Sequence, residues 1–173
     1  MAVDPKSVSM SFYGQASRYE PLPWTWVEHE LTTAGTYWVV ARSAGHPHPR
    51  PVCGIWTGTA LVLSIGSPII AKTLAADPTV SVHLDSGTAV VVVEGSAMVL
   101  ERPDSEILER YDAKYTWKYS PEEYGPLSRI EPQRVLAWQS GGWAGRDGFQ
   151  RSGSWRFDAG ASGDRPLRQF PPE

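Results

Sequence analysis

The chain has 173 residues, enough for one domain with a core of its own. Its hydrophobic share of 41% and charged share of 20% are ordinary for a globular protein, and a net charge of -3 argues against a nucleic-acid or polybasic membrane partner. Cys53 is the one cysteine, so no internal disulfide framework can form, and a reducing, cytoplasmic setting is expected. The N-terminal residues lack the apolar core of a signal peptide, and the longest apolar run, Ala89–Val93, is far too short to span a membrane.

Residues 1–20 show no clear period and read as an arm. Pro23 opens a short helix with Trp24, Val27 and Leu31 on one face, ended by Gly35. Thr36–Ser43, rich in β-branched and aromatic residues, is the first expected strand. Turn chemistry at Ala44-Gly45-His46-Pro47 leads to a second strand over Arg50–Trp56, where Pro51 predicts one incompletely laddered side. Thr57-Gly58-Thr59 turns into a third strand, Ala60–Ile65.

Ser67 then reads as an N-cap and Pro68 as the first residue of a helix that runs to Ala76. Val80, Val82 and Leu84 alternate with polar residues, predicting a strand buried on one face. Ala89–Val93 predicts a strand covered on both faces, with a bulge at Glu94-Gly95 and a continuation over Ser96–Glu101. Pro103-Asp104 begins the longest helix, with an apolar stripe of Ile107, Leu108, Tyr111 and Tyr115. Ser120-Pro121-Glu122-Glu123 reads as a capping box. Arg134–Gln139 is an expected strand, Ser140–Gly153 a glycine-rich loop, Ser154–Phe157 a last strand, and the end a mobile tail. The expected division is an arm and helix over 1–35, a mostly antiparallel barrel over 36–158 and a tail over 159–173.

Catalytic signatures of hydrolases, P-loop enzymes and dinucleotide-binding βα units are missing. His46 and His48 lack a third ligand at a recognisable spacing, so no metal site is expected. What carries chemistry is the corner Ser64–Pro68, where a strand runs into a helix. Unpaired amides and the positive end of the helix dipole make such a corner an anion site. Eight tryptophans supply material for a thick core or a flat-ligand pocket; Trp38, Trp56, Trp117, Trp138 and Trp143 are candidates for a pocket wall or a dimer seam.

The pieces TYWVVARSAGHPHPRPVCGIW, LVLSIGS, the helix ending in LAADP, VSVHL and VVVVEG occur in an order that resembles the pyridoxamine 5'-phosphate oxidase-like family of flavin and deazaflavin oxidoreductases. The later Arg134–Trp138 and Ser154–Phe157 segments resemble actinobacterial members. The resemblance implies a mainly β, antiparallel split β-barrel of the FMN-binding kind with peripheral helices. It also implies a homodimer with cofactor sites between subunits, and hydride transfer to or from a small organic substrate. The cofactor would be FMN or the 8-hydroxy-5-deazaflavin coenzyme. The ring would lie near Arg50, Pro51, Val52 and Cys53, with the phosphate near Leu63, Ser64, Ser67 and Lys72.

The chain departs from the family's pattern where the phosphate would sit. Ile69 and Ile70 stand where a basic pair is expected, and Val90 where a polar residue would meet the ring. Lys72 cannot simply stand in for a lysine at 70, because two residues along a helix turn the side chain by about 200°. Two lost charge-assisted contacts, each worth roughly 1.5–3 kcal/mol, would weaken a nucleotide site by orders of magnitude. Three readings follow: a deazaflavin oxidoreductase, an FMN protein with a backbone-built phosphate site, or a non-redox barrel that binds another flat ligand.

Overall fold

The computed structural model describes residues 5–8, 11–12, 15–16, 20–140 and 149–157. Three short strands come first, β1 (Lys6–Val8), β2 (Ser11–Phe12) and β3 (Gln15–Ala16), then helix α1 (Trp24–Thr33). Strands β4 (Tyr37–Ser43), β5 (His46–Val52), β6 (Gly54–Trp56) and β7 (Leu61–Ser64) lead into α2 (Pro68–Ala76). Strands β8 (Thr79–Leu84) and β9 (Ala89–Val99) precede α3 (Ser105–Tyr115) and α4 (Pro121–Tyr124), and β10 (Leu127–Ser140) and β11 (Phe149–Arg156) complete the chain.

All described strand pairs are antiparallel: nine strands form one sheet, in a path β1-β11-β10-β9-β8-β4-β5 with β7 joined to both β6 and β10, and β2 and β3 form a separate pair. Strand β10 organises this sheet. One side pairs with β9 from Ser128 to Gln139; the other pairs with β7 over Leu127–Ile130 and with β11 over Arg134–Ser140. Between the two partners lies Pro132, whose missing N–H falls where neither β7 nor β11 needs it. The strand is therefore the place where the barrel divides.

The core follows the alternation of the strands. Val39, Val82, Val91, Val93, Val135 and Ala137 are fully or nearly fully buried, and Val27 and Leu31 of α1 and Ile70 and Leu74 of α2 close over them. Trp24 packs edge-on against Trp56, Trp155 and Phe157, at centroid distances of 6.3, 5.4 and 5.5 Å. A second cluster joins Ile55, Val62 and Leu127 to Tyr111, so that α3 covers the outer face of β6 and β7.

Several expectations are corrected. The N-terminal arm contains strands, and β1 pairs with β11; three residues are too few to show a period. Pro23 is the N-cap of α1, with extended backbone, rather than its first helical residue. The strand expected over Arg50–Trp56 is two strands broken at Cys53, and β5 starts already at His46 because Ala44 and Gly45, both at positive φ, form a two-residue turn. As Pro51 predicts, β5 is an edge strand, paired among the described strands with β4 alone.

The irregularity expected at Glu94-Gly95 lies across the ladder, in β10 between Pro132 and Arg134. A Cβ on Gly95 would stand 2.2 Å from the Glu131 carbonyl oxygen, so this glycine admits the β10 backbone. The capping box does not close: the Ser120 hydroxyl bonds the Glu122 carboxylate at 2.9 Å and α4 spans four residues. Strand β10 begins seven residues before the expected Arg134, and β11 extends back to Phe149, into the expected loop. Trp143, Arg146 and the tail over 159–173 lie outside the described residues.

Gly95→Ala is expected to cost about 2–3 kcal/mol in urea unfolding, because the added methyl meets backbone that cannot swing away. Gly87→Ala, with open space around the added Cβ, serves as the matched control and should leave the midpoint almost unchanged.

Candidate functional site

The site is built where β5 breaks into β6. Cys53 sits in the gap, and its carbonyl accepts the Ser64 N–H at 2.9 Å, continuing the β6–β7 register by one pair. Gly54 follows, so close to β7 that a Cβ would stand 2.4 Å from Leu63 Cδ2 and 2.7 Å from the Val62 carbonyl oxygen. Its own N–H and C=O turn away from β7, towards the outer edge of β6, where no described strand pairs.

Tyr115, from the last turn of α3, satisfies that edge. Its hydroxyl oxygen accepts the Gly54 N–H at 2.7 Å and shares its hydrogen between the carbonyls of Gly54, at 2.8 Å, and Gly35, at 3.1 Å. One phenol thus performs the task of a neighbouring strand. Tyr111, one turn earlier, lies beside both Cys53 and Ser64. Burial pushes the Tyr115 phenol up to about 12, opposed by its bond to Gly54 and reinforced by Cys53. Tyr111 is raised further, again chiefly by burial. These phenols stay protonated at neutral pH and act as hydrogen-bonding groups rather than bases.

The remaining candidate residues are placed as follows. Arg50 is exposed on β5 opposite Val39, and its guanidinium donates to the adjacent Pro49 carbonyl at 2.8 Å. Pro51 is exposed and Val52 partly buried, opposite Trp38 and Tyr37. Leu63 is wholly buried, so only its backbone is available to a ligand. The Ser64 hydroxyl donates to the Tyr124 carbonyl, which ties α4 to the end of β7. Ser67 caps α2 as expected, its hydroxyl accepting the Ile70 N–H at 3.5 Å.

Helix α2 explains the departure at its first turn. Ile70 is fully buried in the main core, whereas Ile69 is 49% exposed and Lys72 is exposed. A cation at position 70 would displace core packing, so this position serves the barrel rather than an anion. With Pro68 lacking an N–H and the Ile70 N–H taken by Ser67, the helix start offers few free amides. The structure brings Cys53, Ser64, Tyr111 and Tyr115 together. No described contact ties Arg50 or Lys72 to that group.

The tryptophans divide by environment. Trp56 is in the core. Trp38 lies parallel to His83, at 6.1 Å between ring centres, and its indole N–H donates to Asp85 at 3.2 Å. Trp138 is partly buried and stands opposite Val90 across the β9–β10 ladder. Trp117 is 41% exposed and stacked between Tyr115 and Tyr124, at 5.4 and 5.5 Å. The sequence showed Tyr111 and Tyr115 as an apolar helical stripe; that their hydroxyls reach β6 required knowing what α3 covers. Among the described residues no group of three or more metal-ligating side chains occurs, and no helix is long and apolar enough to cross a membrane.

Tyr115→Phe keeps the ring stacking but leaves the Gly54 amide and carbonyl without their partner. The variant should lose about 1–3 kcal/mol of unfolding free energy in denaturant titration, and the Gly54 amide should exchange with solvent faster.

No family model matches the chain, and no curated protein matches it by sequence. Solved structures do match by shape. A conserved hypothetical protein of Mycobacterium tuberculosis superposes with a TM-score of 0.58 at 21% identity, covering 72% of this chain and 90% of that one. A FAD-binding protein of Mesorhizobium loti gives 0.53 at 19% identity, covering 77% and 94%. An F420 reductase gives 0.52 at 14% identity, covering 62% and 94%. At these identities the likeness is one of fold: the chain has the antiparallel split barrel of pyridoxamine 5'-phosphate oxidase-like proteins.

Proposed function

From this split-barrel fold, we propose that the protein is an oxidoreductase that binds a flavin-type cofactor, the 8-hydroxy-5-deazaflavin coenzyme in preference to FMN. It would pass hydride between that cofactor and a small organic substrate. The observation that carries this reading is the fold shared with a FAD-binding protein and an F420 reductase. The cofactor would supply the hydride chemistry itself. The protein's share would be to position it, shield it from water and balance its charge.

The residues fit such a role unevenly, and the unevenness favours the deazaflavin. A phosphate would find Arg50, Ser67, Lys72 and the start of α2, with Ile70 committed to the core. This is a thin, partly exposed cradle, better suited to a cofactor held through several parts of a longer tail than to the compact phosphate of FMN. Cys53, Pro51 and Val52 would line the ring side, where the edge of the barrel is unladdered. The Ser64 hydroxyl and the Arg50 guanidinium already have internal partners, the carbonyls of Tyr124 and Pro49.

We also assign a second copy of the chain as the partner that completes the site. Ile69, Met98 and Val99 are 49%, 55% and 50% exposed. Met98 and Val99 line a groove of about 280 Å³ together with Ile65, Leu74 and Ala97, among others. An apolar patch beside the phosphate corner is suited to burial between subunits. The double variant Met98→Glu, Val99→Glu should elute as a monomer where the parent elutes as a dimer; a parent that is itself monomeric by light scattering overturns this assignment.

Tryptophan fluorescence titration tests the cofactor. The deazaflavin coenzyme should quench the signal and bind at least tenfold more tightly than FMN, and Arg50→Ala should weaken it by roughly tenfold, the effect of one lost charge-assisted contact. If neither cofactor changes the fluorescence or the visible spectrum, the redox reading fails and a barrel for another flat ligand takes its place.

A further inference from the structure

Away from the proposed phosphate corner, one amine among the described residues is withdrawn from water without an acidic partner. Lys114 lies in the last turn of α3 and is only partly exposed. Its Nζ stands 4.8 Å from the ring centre of Tyr37 and 5.6 Å from that of Tyr115. It donates one hydrogen bond, of 3.0 Å, to the Tyr37 hydroxyl, which in turn donates to the Leu31 carbonyl. The described ion pairs engage Arg110, Arg129 and Arg134 instead. The nearby Asp112 carboxylate accepts the Tyr119 N–H at 2.8 Å.

Tyr37 from β4, Tyr111 and Tyr115 from α3, and Cys53 from the β5–β6 junction are the titratable groups around it. The phenols are pushed upward, chiefly by burial, and carry no charge at neutral pH. Two aromatic faces and one neutral hydroxyl do not replace the hydration of an ammonium. We propose that Lys114 is a nucleophilic amine that captures small aldehydes as an imine, a reaction that needs no cofactor.

Burial lowers the Lys114 amine to about 8, and Cys53 acts in the opposite sense. At neutral pH its unprotonated share is then greater than that of an ordinary lysine by roughly a hundredfold or more. The Nζ lone pair attacks the carbonyl carbon, and the C=O π pair moves to oxygen. A proton passes from nitrogen to that oxygen, giving a neutral carbinolamine. Loss of water forms the C=N bond, so one amine and one aldehyde yield one imine and one water, with no oxidant or reductant. Tyr37 is a positioning residue here: its hydroxyl holds Nζ over the rings.

The test uses the full chain with limiting formaldehyde and cyanoborohydride, which fixes each imine as a methylated lysine read by peptide mass spectrometry. Lys72 and Lys118, both exposed, are internal controls. At about pH 7 Lys114 should be modified at least about tenfold faster than either. Its rate should level off above a midpoint near 8, while theirs continue to rise. In urea the preference should vanish, because it depends on the packed rings. A Lys114 rate at or below those of Lys72 and Lys118, a rise parallel to theirs up to about pH 10, or a preference that survives urea would each overturn the proposal.

Discussion

The structure depends on the long pairing of β9 with β10, which resumes past one irregularity at Pro132–Arg134 while the other side of β10 changes partner from β7 to β11. A barrel can divide in this way only if the shared strand stays laddered on one side. Gly95 and Pro132 meet that requirement at one level of the sheet. The glycine lets the backbones approach, and the proline gives up an N–H where no partner strand stands. The β7 terminus, which leads into the start of α2, is paired with the first part of β10.

The second constraint is the free outer edge of β6. A buried strand edge must be satisfied or it costs free energy for each idle group. The chain solves this with a side chain rather than another strand, placing the Tyr115 hydroxyl against both polar groups of Gly54. The solution has consequences for its neighbours. Bringing α3 close enough for that contact also brings Tyr111 to Cys53 and Ser64, and draws Lys114 over the rings of Tyr37 and Tyr115. Stability of the barrel and reactivity of the amine arise from the same packing.

The first turn of α2 shows a similar conflict resolved in favour of the core. A helix start beside a strand end is a natural phosphate site, yet Ile70 points inward and is fully buried. Pro68 improves the start of the helix while removing an amide that an anion would use. What remains for an anion is side-chain charge at Arg50 and Lys72 and the cap at Ser67, groups that solvent also reaches. A ligand held there would depend on its whole geometry more than on one strong contact.

How much of this was legible follows from which signals are local. The alternation of Val80–Leu84, the apolar run Ala89–Val93, the cap at Ser67 and the edge signal of Pro51 are short-range properties, and they identified strands, helix and strand edge from the amino acids alone. The order of those pieces identified the split barrel. The length of β10 was not legible, because Pro132 argues against a central strand until it is known that two different partners meet there. Nor were the roles of Tyr115 and Lys114, which the helical stripe showed only as a face to be covered or exposed. A residue's own preference is written in its neighbours along the chain; which polar group it must satisfy is decided by a segment some sixty residues away, and only the folded barrel brings Tyr115 to Gly54.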